Sequence, residues 1–136
     1  MLCIVCKKIA AASLLLSCCL AQAAPLECPI NAPSEWKVPK ARLDRARVLG
    51  FFPGTKADER GLAEGLPDRE WQMGGALFQS WNLKAGPRTM IYQVDCMYAG
   101  TPRFLRFDAR KVARCTARRR VRADTLMAGS MEFRCR

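Results

Sequence analysis

Four arginines within five residues form the densest concentration of charge in the sequence. Arg118, Arg119, Arg120 and Arg122 lie close to the end of the chain. Guanidinium groups stay protonated in proteins and bind carboxylates and phosphates through paired hydrogen bonds. The cluster therefore predicts an anion-binding segment, with phosphate, lipopolysaccharide, an anionic glycan or nucleic acid as the ligand. Residues 110–130 contain no aromatic side chain that could stack on bases, which disfavours nucleic acid.

Charge is distributed unevenly along the chain, and an alternative explanation fits the same pattern. The chain has 23 Lys and Arg residues against 12 Asp and Glu. Residues 24–102 carry 10 basic and 9 acidic groups, whereas residues 103–136 carry 11 basic and 3 acidic groups. A run of charge is commonly a solvated face, and on an edge strand it also hinders pairing with other chains. The alternative is therefore a solvated strand that keeps the protein soluble.

The chain lacks the residues that most often do chemistry in enzymes. It contains no histidine, the commonest general base and a common metal ligand. It also has no nucleophile elbow, phosphate-binding loop or glycine-rich dinucleotide turn. The close carboxylate pairs, Asp58 with Glu59 and Asp68 with Glu70, lie in polar segments where adjacent residues rarely converge on a substrate. We therefore predict a protein that is not an enzyme and that has no cofactor and no metal site.

Tryptophan side chains can form a platform for sugar rings, and the chain has three of them. Trp81 lies in an alternating strand pattern and is predicted to enter the core, because tryptophan is highly buried on average. Trp36 is predicted to pack onto the sheet. Trp71, between Glu70 and Gln72 in a predicted loop, is the better exposed candidate.

The amino terminus has the pattern of a secretory signal peptide. Two lysines precede an apolar run over residues 9–20, and a small-x-small motif for signal peptidase ends at Ala23. The run is shorter than the roughly 20 apolar residues of a membrane-spanning helix. We predict a signal peptide over residues 1–23 and a single exported domain over residues 24–136. The alternative is a lipoprotein signal that would anchor the protein in the outer membrane through Cys18.

Cysteine usage fits an oxidising compartment. Four of the eight cysteines lie in the predicted signal peptide, and Cys28, Cys96, Cys115 and Cys135 follow it. Four cysteines in a small exported domain predict two disulfides, and no Cys-x-x-Cys motif offers a redox or zinc site there. We favour Cys28–Cys96, which would tether a proline-rich arm, with Cys115–Cys135, which would close a C-terminal hairpin. Cys28–Cys135 with Cys96–Cys115 is the alternative.

Residues 90–101 predict the central strand of a small antiparallel sheet. Every second residue from Tyr92 to Tyr98 is apolar or aromatic or is Cys96, so one face of the strand can enter the core. A short connection of hairpin length precedes this strand. It predicts antiparallel pairing with a strand over residues 76–83.

The remaining segments complete a mainly β fold of the α+β class, with one short helix and two disulfides. In chain order we expect an extended arm over residues 24–41, a short strand within 42–52, a polar loop over 55–68 and a strand over 103–107. A short helix over 109–116 capped by Asp108, a basic strand or extended arm over 118–123 and a last strand over 131–135 follow.

The cysteines and their neighbours also follow a family pattern. The pattern consists of Cys28-Pro29, Trp81-Asn82-Leu83, the Cys-x-Tyr-x-Gly-Thr motif of residues 96–101, Cys115 and a terminal Cys135. It resembles a family of small uncharacterised exported proteins of Gram-negative bacteria, over nearly the whole of residues 24–136. The resemblance implies the predicted fold and brings no activity, cofactor or site residue. One departure is Asp108-Ala109-Arg110, where the family pattern has a proline.

These observations favour a non-enzymatic binding protein of the periplasm or the cell exterior, whose ligand is an envelope component. That component is a protein partner or an anionic polymer. A structural accessory subunit of an envelope or secretion assembly is the alternative, with the arginines docked on an acidic subunit. A third candidate is a periplasmic inhibitor of a cell-wall hydrolase. Residues 24–136 carry 21 basic and 12 acidic groups, and this charge of +9 would repel the basic c-type lysozymes.

Overall fold

The computed structural model describes residues 25–55 and 63–136. Within these residues the chain forms strands and a single 3-10 turn, Ser34–Trp36. The strands are β1 Leu26–Glu27, β2 Leu43–Phe51, β3 Ala63–Glu64, β4 Arg69–Met73, β5 Ala76–Asn82, β6 Ile91–Tyr98, β7 Phe104–Asp108, β8 Arg114–Arg122, β9 Thr125–Leu126 and β10 Glu132–Cys135. The predicted signal peptide, its alternative lipidation site Cys18 and the Asp58–Glu59 pair lie outside the described residues.

Two antiparallel sheets make up the fold, which confirms the predicted class. The first sheet has the order β1-β10-β8-β5-β4, with β9 paired to the far end of β8. The second sheet has the order β3-β2-β6-β7. The predicted central strand is an inner strand of the second sheet, because β6 pairs with β2 on one side and β7 on the other. No helix of the described residues is long and apolar enough to cross a membrane.

The core lies between the two sheets. Strand alternation directs every second side chain inward, as the sequence pattern predicts. The first sheet contributes Trp81, Cys115, Ala117, Phe133 and Cys135. The second sheet contributes Leu43, Ala46, Val48, Val94, Cys96 and Tyr98. Trp36 closes one side of this core with its ring edge on Tyr98, at 5.7 Å between ring centroids.

Both favoured disulfides are present. Cys28–Cys96 joins the segment after β1 to the middle of β6, so it crosses from the first sheet to the second. Cys115–Cys135 links directly opposed residues of β8 and β10 within the first sheet. One bridge therefore holds the sheets together, and the other fixes the register of two neighbouring strands. Both bridges are consistent with folding in an oxidising environment outside the cytosol.

The predicted hairpin between β5 and β6 is wrong. β5 pairs with β4 and β8, and β6 lies in the opposite sheet. The connection makes two successive turns, closed by hydrogen bonds from Ala85 N to Asn82 O and from Met90 N to Pro87 O. Two turns carry the chain from one layer to the other. The apolar sides of β5 and β6 consequently contribute to the same core from opposite layers.

The predicted helix over residues 109–116 is also wrong. β8 begins at Arg114, and Asp108 accepts a hydrogen bond from the Arg110 backbone N at 2.9 Å instead of capping a helix. β8 is bonded along both edges, to β5 and to β10. Pairing on both sides outweighs a weak local preference for a helical turn. Trp71, predicted to lie in a loop, is in strand β4.

Candidate anion-binding site

Strand alternation splits the four predicted anion-binding arginines into two groups. Arg118, Arg120 and Arg122 occupy alternate positions of β8 and are exposed. Arg119 points to the other side, where its guanidinium donates to the backbone oxygen of Asp44 and, at 3.1 Å, to Asp44 Oδ1. Three of the predicted residues therefore share one solvent-facing surface, and Arg119 belongs to the packing of the fold.

Neighbouring strands add further arginines to that surface, because directly opposed residues of antiparallel strands lie on the same face. One row across the sheet is Trp71, Phe78, Arg118 and Glu132. The next row is Arg69, Ser80, Thr116, Arg134 and Glu27. A third row joins Asn82 to Arg114, whose backbone is hydrogen-bonded to that of Arg136. We call this surface the arginine face; its arginines are Arg69, Arg114, Arg118, Arg120, Arg122, Arg134 and Arg136.

Among the described residues, most of these guanidinium groups have no carboxylate partner. Arg118 Nη1 lies 3.2 Å from Glu132 Oε1, and both side chains are about half exposed. Such an exposed pair contributes little to stability and opens readily. Within residues 25–55 and 63–136, the other six arginines of the face form no ion pair. The face carries Glu27 and Glu132 as its acidic residues, so its charge is strongly positive.

An aromatic stack lies at the β4 end of the arginine face. The Trp71 and Phe78 rings are nearly parallel, with an interplanar angle of 10° and 5.4 Å between centroids. Trp71 is 40% exposed, and the Arg69 guanidinium carbon lies 5.8 Å from its ring centroid. A cavity of about 260 Å³ runs from Trp71 and Phe78 to Thr116 and the arginines. Its lining consists of Trp71, Phe78, Gln79, Arg114, Thr116, Ala117, Arg134 and Arg136.

Sequence reasoning missed this arrangement, although a signal for it was present. Gly74-Gly75 is a two-residue turn between β4 and β5, and both glycines have positive φ, +58° and +70°. Such a pair between two strands is a strong hairpin signal. Folding β4 back on β5 through this turn brings Trp71 opposite Phe78. The other two tryptophans form no platform: Trp81 is buried and Trp36 packs on Tyr98, as predicted.

The solvent face of the second sheet also carries arginines, but these have partners. Asp95 is completely buried and accepts hydrogen bonds from Arg47 Nη2 at 3.0 Å and from Arg106 Nε at 2.7 Å. The hydrogen bond to Asp95 raises the pKa of Arg106 above its ordinary value. Arg45 donates to both carboxylate oxygens of Glu64, at 2.8 and 2.7 Å. Arg47 and Arg106 are tied to the fold through the buried Asp95 and are less available to a ligand, whereas Arg45 and Glu64 form a surface pair with side chains 53% and 39% exposed.

A second cationic feature lies at one end of the sandwich. A cavity of about 610 Å³ opens between the β5–β6 and β7–β8 connections, and its basic lining residues are Lys84, Arg88, Arg110 and Lys111. Arg110 is paired with Asp108, and this hydrogen bond lowers the pKa of the carboxyl group. The four cations belong to connections rather than to strands. The arginines of the arginine face lie mostly on paired strands, so we take that face as the candidate anion-binding surface.

No cluster of three or more potential metal ligands occurs in the part of the chain that the structure describes. No protein-family model, curated protein or solved structure matches the chain. A functional proposal therefore depends on the chemistry of the arginine face.

Proposed function

We propose that this protein is a non-enzymatic binding protein that holds an anionic polymer of the cell envelope on its arginine face. The observation that carries this proposal is the set of seven arginines on one solvent-facing surface, six of which have no acidic partner within residues 25–55 and 63–136. Unpaired guanidinium groups bind carboxylates and phosphates strongly, because each offers several donors in a planar fork.

The extent of the face favours a polymer over a small anion. Arg114 and Arg122 are eight residues apart on β8, which corresponds to roughly 26 Å along an extended strand. Further arginines lie on β10, which pairs with β8, and on β4, which lies beyond β5. A small anion contacts only one or two of these groups at a time, whereas a chain of repeated charges can contact several at once.

The chemistry of the face favours binding over catalysis. Guanidinium groups stay protonated, so they neither accept protons nor act as nucleophiles at neutral pH. They can hold and orient an anion. The resemblance to a family of small exported proteins also remains a proposal, and it implies no catalytic activity.

We place the protein outside the cytosol, in the periplasm or in the secreted fraction. The predicted signal peptide over residues 1–23 supports export, and the two disulfides are consistent with an oxidising compartment. In the alternative, lipidation of Cys18 would anchor the same domain in the outer membrane. Anionic polymers of such locations include lipopolysaccharide and acidic glycans.

The test is retention of the disulfide-intact protein on heparin and lipopolysaccharide columns. Changing Arg118, Arg120 and Arg122 together to Ser removes three charges from the arginine face and should shift elution to markedly lower salt. The matched control changes Lys84, Arg88 and Lys111 to Ser, which removes three charges from the end cavity. Elution of the control should stay close to that of the unchanged protein.

Two results would contradict the proposal. Equal loss of retention in both triple variants would show that net charge alone governs binding. No retention of the unchanged protein on either column would leave a protein partner as the better hypothesis. Crosslinking in the native periplasm would then identify the acidic subunit that the accessory hypothesis requires.

A further inference from the structure

The cavity on the arginine face has two chemically different sides. Trp71 and Phe78 present aromatic surface from β4 and β5. Arg114 on β8, with Arg134 and Arg136 at the end of the chain, presents guanidinium groups from the opposite side. A ligand that fills this cavity therefore needs an apolar surface and a negative charge within one small unit.

We propose that this cavity binds one sugar ring of an acidic glycan, a polymer whose sugar units carry carboxylate or sulfate groups. This inference rests on the proposed function and narrows its ligand class. The C–H groups of a sugar ring form an apolar surface that can pack on the indole of Trp71. Acidic substituents on the same ring would reach the arginines, and the Thr116 hydroxyl offers a donor and an acceptor for sugar hydroxyls.

The size of the cavity agrees with a single ring. At about 260 Å³ it is smaller than the roughly 300–1,000 Å³ typical of pockets that enclose a drug-sized ligand. The neighbouring arginines on β8 continue beyond the cavity, with Arg118, Arg120 and Arg122 exposed along the strand. One ring would occupy the cavity while the adjoining units of the polymer contact these residues.

The indole is held in place before a ligand arrives. Phe78 stacks on it from the next strand, and residues Arg69–Met73 pair with β5 over the whole length of β4. Ordering the platform in advance reduces the entropy lost on binding. Single-stranded nucleic acids are bound by aromatic side chains that stack on successive bases. The described residues of the arginine face hold a single aromatic stack, which favours a glycan over a nucleic acid.

The experiment compares two polyanions of matched charge, a heparin oligosaccharide and a polyphosphate chain that contains no rings. Binding to each is measured by titration calorimetry for the unchanged protein, Trp71→Ala and Phe104→Ala. Phe104 is a matched control, because it is 39% exposed and lies under Arg106, 5.0 Å from the ring centroid, on the second sheet. Trp71→Ala should weaken heparin binding roughly tenfold, as expected for loss of a stacking contact, and leave polyphosphate binding unchanged. Phe104→Ala should change neither affinity.

The other outcomes separate this inference from the proposed function. If Trp71→Ala leaves both affinities unchanged, or lowers both equally, the sugar-ring site is wrong and the arginine face stands. An oligonucleotide of equal charge that binds more tightly than heparin, with an affinity that depends on Trp71, would show that Trp71 stacks on a nucleobase. The proposal of an acidic glycan would then be wrong. If the unchanged protein binds none of the polyanions, the proposed function fails and the inference fails with it.

Discussion

The solvent faces of the two sheets use arginine in opposite ways. On the second sheet, Arg47 and Arg106 converge on the buried carboxylate of Asp95, and Arg45 is paired with Glu64. On the first sheet, six of the seven arginines of the arginine face have no acidic partner among the described residues. The number of arginines therefore says little about their role. A buried carboxylate partner such as Asp95 distinguishes arginines that stabilise the fold from arginines whose side chains remain in solvent.

The burial of Asp95 shows why its pairing belongs to the fold. A carboxylate without solvent contact loses its hydration, and this cost is offset only if charged donors surround it. Arg47 and Arg106 supply three hydrogen bonds to its two oxygens. Among the described residues, no comparable buried carboxylate draws in the guanidinium groups of the arginine face, which stay in solvent on a surface whose acidic residues are Glu27 and Glu132.

The largest effect is expected when the bridge between the two sheets is removed. Cys28 and Cys96 are separated by 68 residues, so changing both to Ser should lower the free energy of unfolding by about 4 kcal/mol through the added entropy of the unfolded chain. Cys115 and Cys135 are 20 residues apart, and the same change there should cost about 3 kcal/mol. Urea denaturation measures both. A larger loss at the shorter bridge would mean that the bridge between the sheets is not the main constraint.

The next largest effect is expected at the arginines of the second sheet that are paired with Asp95. Asp95→Asn leaves Arg47 and Arg106 without their shared carboxylate and should destabilise the protein by about 3 kcal/mol. Both guanidinium groups keep some solvent contact, with 22% and 39% of their side chains exposed, which limits the loss. Urea denaturation gives the stability, and heparin elution under native conditions should not change. A variant with unchanged stability and altered elution would reverse the roles that we give to the two faces.

The smallest effects are expected from single changes of Arg119 and Arg120, which are adjacent on β8. Arg119→Ser removes the guanidinium donors that contact Asp44 and should cost about 1–2 kcal/mol, because Asp44 loses a charged partner and its carboxylate keeps the hydrogen bond from the Gly129 backbone N. Arg120→Ser should change stability by less than about 0.5 kcal/mol, because its side chain is exposed. Heparin elution should shift more for Arg120→Ser than for Arg119→Ser. Since both variants lose one charge, equal shifts would argue against a specific face.

The sequence was sufficient for features that depend on alternation and cysteine count. The inward face of β6 follows from a period of two, and four cysteines in a small domain predict two disulfides. The favoured connectivity is the one present, although the residues alone left an alternative open. The pairing of the strands could not be predicted in the same way, because alternation identifies the inward face of a strand but not the sheet that the strand joins. The β5–β6 connection looked like a hairpin by length, but its two turns carry the chain across the core.

The candidate site was predictable only in part, for a related reason. The cluster Arg118–Arg122 is local in sequence, so its charge was evident, whereas the division of Arg119 from its neighbours requires β8 to be a strand through that region. Trp71 and Phe78 belong to other strands, and only the register places them beside the arginines. The triad around Asp95 joins β2, β6 and β7, and no local pattern in the sequence links those residues.

The position of β4 has a consequence for how the site would respond to a ligand. β4 is the outermost strand of its sheet, bonded to β5 alone, and all five of its residues are exposed. Such a strand opens locally more often than the interior of a sheet, so its backbone amides that bond to β5 should exchange with deuterium faster than those of β8. A glycan that contacts both Trp71 and the arginines would link β4 to β8 and so oppose the local opening of β4. Slower exchange in β4 would then report that the site is occupied.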